Sequence, residues 1–158
     1  MSESNSAARS YYLISETLES ALLNNSITKT VTIGDISDID LGKQTIFPLA
    51  HFIVNNVVSN EQTLVYNITV LTMDIKDTSK EEETDKFRGN TDEQDILNTQ
   101  LSVLNTLIQK LRFGTLHQSG YRLANDPVCE PFVDRFENNL AGWSAELNIE
   151  VRNDQYIC

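Results

Sequence analysis

LVYNITVLTMDI (64–75), KDTSKEEETDKFRGN (76–90) and TDEQDILNTQLSVLNTLIQKL (91–111) form the continuous stretch that decides the fold of this 158-residue chain. The first segment indicates a long strand, which stops where the charged second segment begins. The third segment opens with a capping box formed by Thr91 and Gln94, and its leucines recur at helical spacing. The order predicts a strand, an acidic loop and an amphipathic helix.

The predicted strand over 63–75 is apolar on both of its faces. Alternate side chains of a strand point to opposite sides of the sheet, and helices can cover only one side. One side carries Leu64, Tyr66, Ile68 and Val70. The other side carries Val65, Leu71 and Met73. We expect one side to pack on the helices and the other to be covered by something else, for example a neighbouring subunit.

The rest of the chain supplies one more helix and several more strands. Apolar residues at helical spacing predict a helix over 6–23, and strict alternation from Trp143 to Val151 predicts a terminal strand. The other predicted segments are a strand over 27–33, an extended chain over 45–58 with Pro48 near its start, a hairpin connection at 59–62, an irregular stretch over 115–131, a short strand over 132–136 and a turn at Asn138–Asn139.

These elements predict an α+β fold. We expect a mainly antiparallel sheet of four to five strands packed by two helices, in the order α-β-β-β-α-(β)-β. The length of 158 residues and the hydrophobic fraction of 40% fit a single domain over 1–158 with its own core. Within that domain we expect a flexible N-terminus at 1–5, a charged loop at 76–90 and a C-terminal tail at 153–158.

The charge of the chain disfavours several classes of partner. Lys and Arg number 12 and Asp and Glu number 23, so the net charge is -11. Such a chain repels the phosphate backbone, and an anionic membrane surface repels it for the same reason. The two cysteines, Cys129 and Cys158, make neither a disulfide framework nor a zinc pattern, which indicates a reducing compartment. We expect no sequence-specific binding of DNA and no membrane association.

The sequence carries no recognisable catalytic, cofactor-binding or metal-ligating constellation, and we predict that the protein is not an enzyme. His51 and His117 have no His or Cys partner at ligand spacing. Serine-hydrolase and phosphate-loop motifs are missing. Cys129 stands beside Glu130, whose carboxylate raises the pKa of a neighbouring thiol and so disfavours a nucleophilic thiolate.

One acidic loop bears a loose similarity to a calcium site. Asp35, Asp38 and Asp40 alternate in the turn-rich segment 34–44. The loop lacks the central Gly and the closing Glu of an EF-hand, so a solvated acidic loop is the simpler interpretation.

The order of elements and three phrases of the sequence resemble the tail-terminator and tail-completion (neck) proteins of tailed bacteriophages. The phrases are Phe47-Pro48-Leu49 at the start of a long strand, the helix pattern D-x-L-N-T-Q-x-x-V-L-N-x-L-I-x-K-L beginning at Asp95, and the ending AGWSAELNIEVRND (141–154). The resemblance spans most of the chain, about residues 7–152. It implies a tail-terminator-like fold and brings no catalytic residues with it.

The same resemblance implies a structural role in the virion. Such proteins form homo-oligomeric rings, for example hexamers or dodecamers, in the neck or tail between the head connector and the tail. The implied partners are other copies of the chain, connector or portal-side neighbours and tail proteins. DNA passes through the ring without specific binding, and assembly takes place in the cytoplasm of the bacterial host.

The charged loop at 76–90 has two interpretations. It is either a solvated linker or a contact loop that becomes ordered on assembly. For the second interpretation, the residues that we expect at an interface include those on the apolar strand face named above. The full set is Glu81, Glu82, Glu83, Asp85, Lys86, Arg88, Val65, Leu71 and Met73.

Two other classes of function stay open at this stage. A non-enzymatic intracellular adaptor of α+β fold would bind one small protein partner and have no link to particles. An enzyme would need a deep pocket with convergent polar groups, which no motif in the sequence indicates.

Overall fold

A computed structural model describes residues 10–35, 46–75, 91–135 and 140–152. The predictions for the N-terminus at 1–5, the charged loop at 76–90, the turn at Asn138–Asn139 and the tail at 153–158 lie outside these residues. So do two of the three aspartates in the calcium-like loop, Asp38 and Asp40.

The described residues contain three helices and six strands. In chain order these are α1 (Ser10–Leu23), β1 (Thr30–Ile33), β2 (Leu49–Ser59), β3 (Thr63–Ile75), α2 (Thr91–Arg112), α3 (Thr115–Gln118), β4 (Arg122–Leu123), β5 (Cys129–Arg135) and β6 (Leu140–Arg152). The predicted α+β class is confirmed, with one strand more than expected.

The strands form a single mixed sheet in which antiparallel pairs dominate. The order across the sheet is β1-β2-β3-β6, and β4 and β5 both pair along the outer edge of β6. Only β1 and β2 run parallel. Strands β3 and β6 pair along their whole length, from Thr63 opposite Arg152 to Ile75 opposite Leu140. The predicted hairpin at 59–62 is confirmed, and it joins β2 to β3 with a bulge between Val54 and Asn56.

Both long helices pack on one face of the sheet. Helix α1 buries Ile14, Leu18 and Leu22, while its Tyr11 is half exposed. Helix α2 lies across β3 and β6 and buries its apolar side against their inward residues. The core-facing residues of the two strands are Tyr66, Ile68, Val70, Ala145, Leu147, Ile149 and Val151. The predicted inward face of the terminal strand is thus confirmed.

A second, smaller apolar cluster covers part of the opposite face. Its buried members are Phe47, Leu49, Leu71, Met73 and Leu140. Leu71 and Met73 are 7% and 0% exposed, so the chain itself already covers them. This side of β3 is thus covered by something other than the helices, as expected, but over Leu71 and Met73 the cover is the chain itself and not a neighbouring subunit, because packing between segments far apart in the sequence buries them.

Three other local expectations need correction. Strand β1 begins at Thr30 rather than at 27. The stretch 115–131 is not wholly irregular, since it contains α3, β4 and the start of β5. The spacing of the leucines in α2 predicts Leu104, Ile108 and Leu111 in the buried stripe, and all three are buried. Leu97 and Leu101, which continue the same spacing, are only half buried. The rotation of a helix against a sheet depends on the strands beneath it, which helical periodicity does not specify.

Candidate assembly surface

The face of the sheet that turns away from the helices is divided into an apolar end and a polar end. The apolar end is the small cluster around Leu71 and Met73. Toward the β2–β3 hairpin the same face becomes polar, because the outward residues of β6 are hydrophilic and pair with hydrophilic residues of β3. Asn148 lies opposite Asn67, and Glu146 lies opposite Thr69. Here β3 and β6 offer a surface of hydrogen-bonding groups.

Four asparagine side chains form a chain of hydrogen bonds across this polar end. Asn55 Nδ2 on β2 donates to Asn67 Oδ1 on β3 over 2.9 Å, and also to Thr69 Oγ1 over 2.7 Å. Asn67 Nδ2 donates to Asn148 Oδ1 on β6 over 2.9 Å. Asn148 Nδ2 in turn donates to Asn125 Oδ1, just beyond β4, over 3.2 Å. We call these four residues the amide chain.

The amide chain has a direction. Every amide in it donates toward β4, so the two ends differ chemically. Within the described residues, Asn55 Oδ1 accepts no hydrogen bond at the β2 end, and Asn125 Nδ2 donates none at the β4 end. Both terminal residues are exposed. The surface therefore ends in a bare acceptor at one edge of the sheet and in a bare donor at the other edge.

The outer edge of β2 is open over its second half. Strand β1 pairs with β2 only as far as Phe52. Beyond that point the described residues place no strand beside the segment Ile53–Ser59. This segment, IVNNVVS, has no charge and no proline, and Val57 and Val58 are 42% and 53% exposed. Natural edge strands usually carry lysine, proline or inward charges that prevent pairing with other chains. Apart from its bulge, this edge lacks such protection.

Two grooves border the polar face. One has a volume of about 470 Å³ and runs along the β6 side between Thr69, Asn125, Val128, Glu130, Glu146 and Asn148. The other, of about 740 Å³, lies at the hairpin end and is lined in part by Glu61, Arg122, Glu150 and Arg152. Charged or amide side chains line both grooves.

The titratable side chains expected from the sequence do not form a reactive centre. His51 is buried, with Nδ1 2.8 Å from Thr32 Oγ1 and Nε2 2.6 Å from the Gly34 carbonyl oxygen. Burial lowers the pKa of His51, opposed by the Gly34 hydrogen bond and by Asp35. Both ring nitrogens of His51 therefore have hydrogen-bond partners. Burial raises the pKa of Cys129, and nearby Arg112 offsets only part of that effect.

The residues predicted at an interface lie in different environments or outside the described part of the chain. Glu81, Glu82, Glu83, Asp85, Lys86 and Arg88 lie outside the described residues. Val65 lies on the polar face, opposite Val58 and Glu150, and is half buried. Leu71 and Met73 are buried inside the chain.

Sequence reasoning missed the amide chain. Asn67 and Asn148 fall within two predicted strands, but nothing in either local pattern pairs them. The signal that could have found them is the register: a short hairpin at 60–62 sets Asn55 and Asn56 near Asn67. The third strand, β6, is far away in the sequence, so its register could not be read from a turn.

Comparison with known proteins found no match. The chain matches no family model, and no curated protein matches its sequence. Within the described ranges, no group of three or more His, Cys, Asp and Glu side chains could hold a metal ion. None of the helices in those ranges combines the length and apolarity needed to cross a bilayer.

Proposed function

We propose that this chain is a structural virion protein of a tailed bacteriophage. In this proposal it forms a homo-oligomeric ring in the neck or tail and joins the head connector to the tail around the DNA channel. The observation that carries the proposal is the open outer edge of β2, from Ile53 to Ser59. An uncharged, valine-rich edge of seven residues makes a free monomer prone to aggregation. In an oligomer the same edge can pair with another subunit.

Charge supports the same role. A net charge of -11 makes the surface repel the DNA phosphate backbone. A ring through which a genome must pass rapidly benefits from such a lumen. A basic lumen would instead bind the DNA, because the release of counterions from the phosphates favours binding. The polar face described above, rich in amides and carboxylates, is suited to face either such a channel or a hydrated subunit contact.

The proposal implies specific partners. Copies of the chain contact each other within the ring, as a hexamer or a dodecamer, while loops reach connector or portal-side neighbours on one side and tail proteins on the other. DNA passes without specific binding, and the mature location is the virion. This part of the proposal follows from the resemblance to tail-terminator and neck proteins.

Native mass spectrometry and electron microscopy of the purified full chain test the proposal. We expect discrete oligomers of one stoichiometry that appear as rings, and we expect the protein among the components of purified particles. A protein that stays monomeric at high concentration and never accompanies particles would overturn the proposal. Recovery of that monomer with a single small protein would instead support the adaptor function.

The charged loop offers a second test. Reversing the charges of Glu81, Glu82 and Glu83 to lysine should leave the thermal unfolding temperature of the isolated chain unchanged, because a run of charged residues in a sequence is typical of a solvated segment. Assembly with neighbouring layers should weaken if this loop makes contact with them. Unchanged incorporation into particles would make the loop a solvated linker.

A further inference from the structure

We infer that copies of this chain join head to tail through the two opposite edges of the sheet, with the amide chain of one copy continuing into that of the next. Specifically, Asn125 Nδ2 of one copy donates to Asn55 Oδ1 of its neighbour. The inference rests on the proposed function in one respect, since it names the subunit contact of the proposed ring. The contact places the open β2 edge beside the β4–β5 edge.

The direction of the amide chain is the first argument. All of its donors point from β2 toward β4, which leaves a bare acceptor on Asn55 and a bare donor on Asn125. Two β2 edges facing each other would bring acceptor to acceptor, and two β4 edges would bring donor to donor. Only opposite edges match. A contact between different surfaces of identical subunits is heterologous, and it closes into a ring when the rotation between subunits permits.

Apolar side chains at the two edges are the second argument. The β2 edge exposes Val57 and Val58, and the opposite edge exposes Val128 and Val133, with Val128 71% exposed. In the register of the sheet, Val57 and Val58 lie level with β4, and Val133 lies level with the other end of β6. A neighbouring copy beside β4 would therefore remove the apolar surface of Val57 and Val58 from water while the amides keep their hydrogen bonds.

Electrostatics is the third argument. The whole chain carries -11 charges, so two copies repel each other over most of their surfaces. Ile53–Ser59 has no charge, and it can therefore approach the mixed-charge β4–β5 edge without repulsion between like charges. On that edge Asp126 is already paired with Arg112 over 3.2 Å. A second copy of the chain is the occupant that fits both edges at once.

Disulfide trapping tests the inference. In a full chain with Cys129→Ala and Cys158→Ala, the substitutions Asn55→Cys and Asn125→Cys are made singly and together. The two positions lie at opposite edges of the sheet, so they cannot bridge within one chain. After mild oxidation, we expect the double variant to form a covalent series of multimers. A mixture of the two single variants should form covalent dimers that contain one of each.

Several outcomes would overturn the inference. Dimers of the Asn55→Cys variant alone would show a symmetric contact between β2 edges. A control pair, Ser20→Cys on α1 with Asn125→Cys, should form no multimers, and equal trapping in this control would mean that collisions explain the result. Rings without trapping in the double variant would refute this contact and leave the proposed function standing. Neither rings nor trapping would refute both.

A charge on the open edge gives an independent readout. Val58→Lys should abolish oligomers, because a lysine prevents strand-to-strand approach at an edge. Asn105→Lys adds the same charge at an exposed position of α2 and should leave oligomers intact. Circular dichroism and thermal unfolding establish that both variants fold. Folded Val58→Lys protein that still assembles would contradict the inference.

Discussion

Thr72 and Trp143 lie directly opposite each other on β3 and β6, and both donate a hydrogen bond to the backbone of α2. Trp143 Nε1 donates to the Leu97 carbonyl oxygen over 2.7 Å, and Thr72 Oγ1 donates to the Gln100 carbonyl oxygen over 3.0 Å. The two acceptors are one helical turn apart. One cross-strand pair therefore fixes both the height and the rotation of α2 on the sheet.

The Trp143 bond and its packing can be separated by two substitutions. Trp143 is half buried and packs against the main core, so Trp143→Ala should cost about 3 kcal/mol, at the lower end of the range for large aromatic residues. Trp143→Phe keeps a ring and loses the donor, and it should cost about 1 kcal/mol. Urea unfolding measures both values. Equal losses in the two variants would mean that the hydrogen bond, and not the packing, supplies the stability.

Gln100 is a buried polar residue that weakens the fold. Its side chain is 2% exposed, and its Nε2 has no hydrogen-bond partner in the structure. A buried donor without a partner costs about 1–3 kcal/mol. Gln100→Met has a similar length and no donor, so it should raise the free energy of unfolding by about 1 kcal/mol. Gln109→Met, exposed on the same helix, is the matched control and should change little. Destabilisation by Gln100→Met would reveal a partner that the fold needs.

Local patterns were sufficient to predict the long elements. The bounds of β3 at 63–75 follow from an apolar run between the hairpin residues and the charged segment, and the start of α2 at Thr91 follows from its predicted capping box. The inward face of β6 follows from its strict alternation. Each of these signals lies within the element itself, so no knowledge of distant contacts was needed.

Features that depend on contacts between distant segments could not be predicted. Strand β4 has two residues, too few for any periodicity, and exists because it pairs with β6. The burial of Gln100 depends on how α2 is turned by Thr72 and Trp143. The amide chain requires the register of three strands and of the segment after β4 together, which turn chemistry sets only for the β2–β3 pair.

Gly142 allows two strands to approach closely, and its replacement should be costly. A Cβ atom on Gly142 would lie 2.0 Å from the Thr72 carbonyl oxygen, so backbone would have to move. Gly142→Ala should therefore destabilise the fold by about 3 kcal/mol. Gly120 has a positive φ of 97° and no atom within 4 Å of such a Cβ, so Gly120→Ala should cost only about 1 kcal/mol of backbone strain. Thermal unfolding should show a larger loss of stability for Gly142→Ala than for Gly120→Ala. A larger loss for Gly120→Ala would mean that the sheet relaxes around position 142.

His51 joins β2 to the parallel edge strand β1. Its neutral ring fits its surroundings: Nε2–H donates to the Gly34 carbonyl oxygen, and Nδ1 accepts from the Thr32 hydroxyl. Burial lowers the pKa of His51 below its usual value of about 6.5. The unfolded chain therefore binds a proton at this residue at a higher pH than the folded chain does.

This difference predicts how stability depends on pH. Above a pH of about 6.5, neutral His51 makes its full contribution to the free energy of unfolding. This contribution decreases as the pH falls from there toward the lowered pKa of the folded state. The slope from one residue is at most about 1.4 kcal/mol per pH unit. Urea unfolding between pH 5 and 8 measures this effect. The free energy of unfolding should fall less at low pH in His51→Gln than in the native chain, since glutamine does not titrate. His117→Gln, on α3, is the control for removing a histidine elsewhere. A native pH profile in the His51→Gln variant would assign the pH dependence to the carboxylates, because these are unchanged in all three proteins.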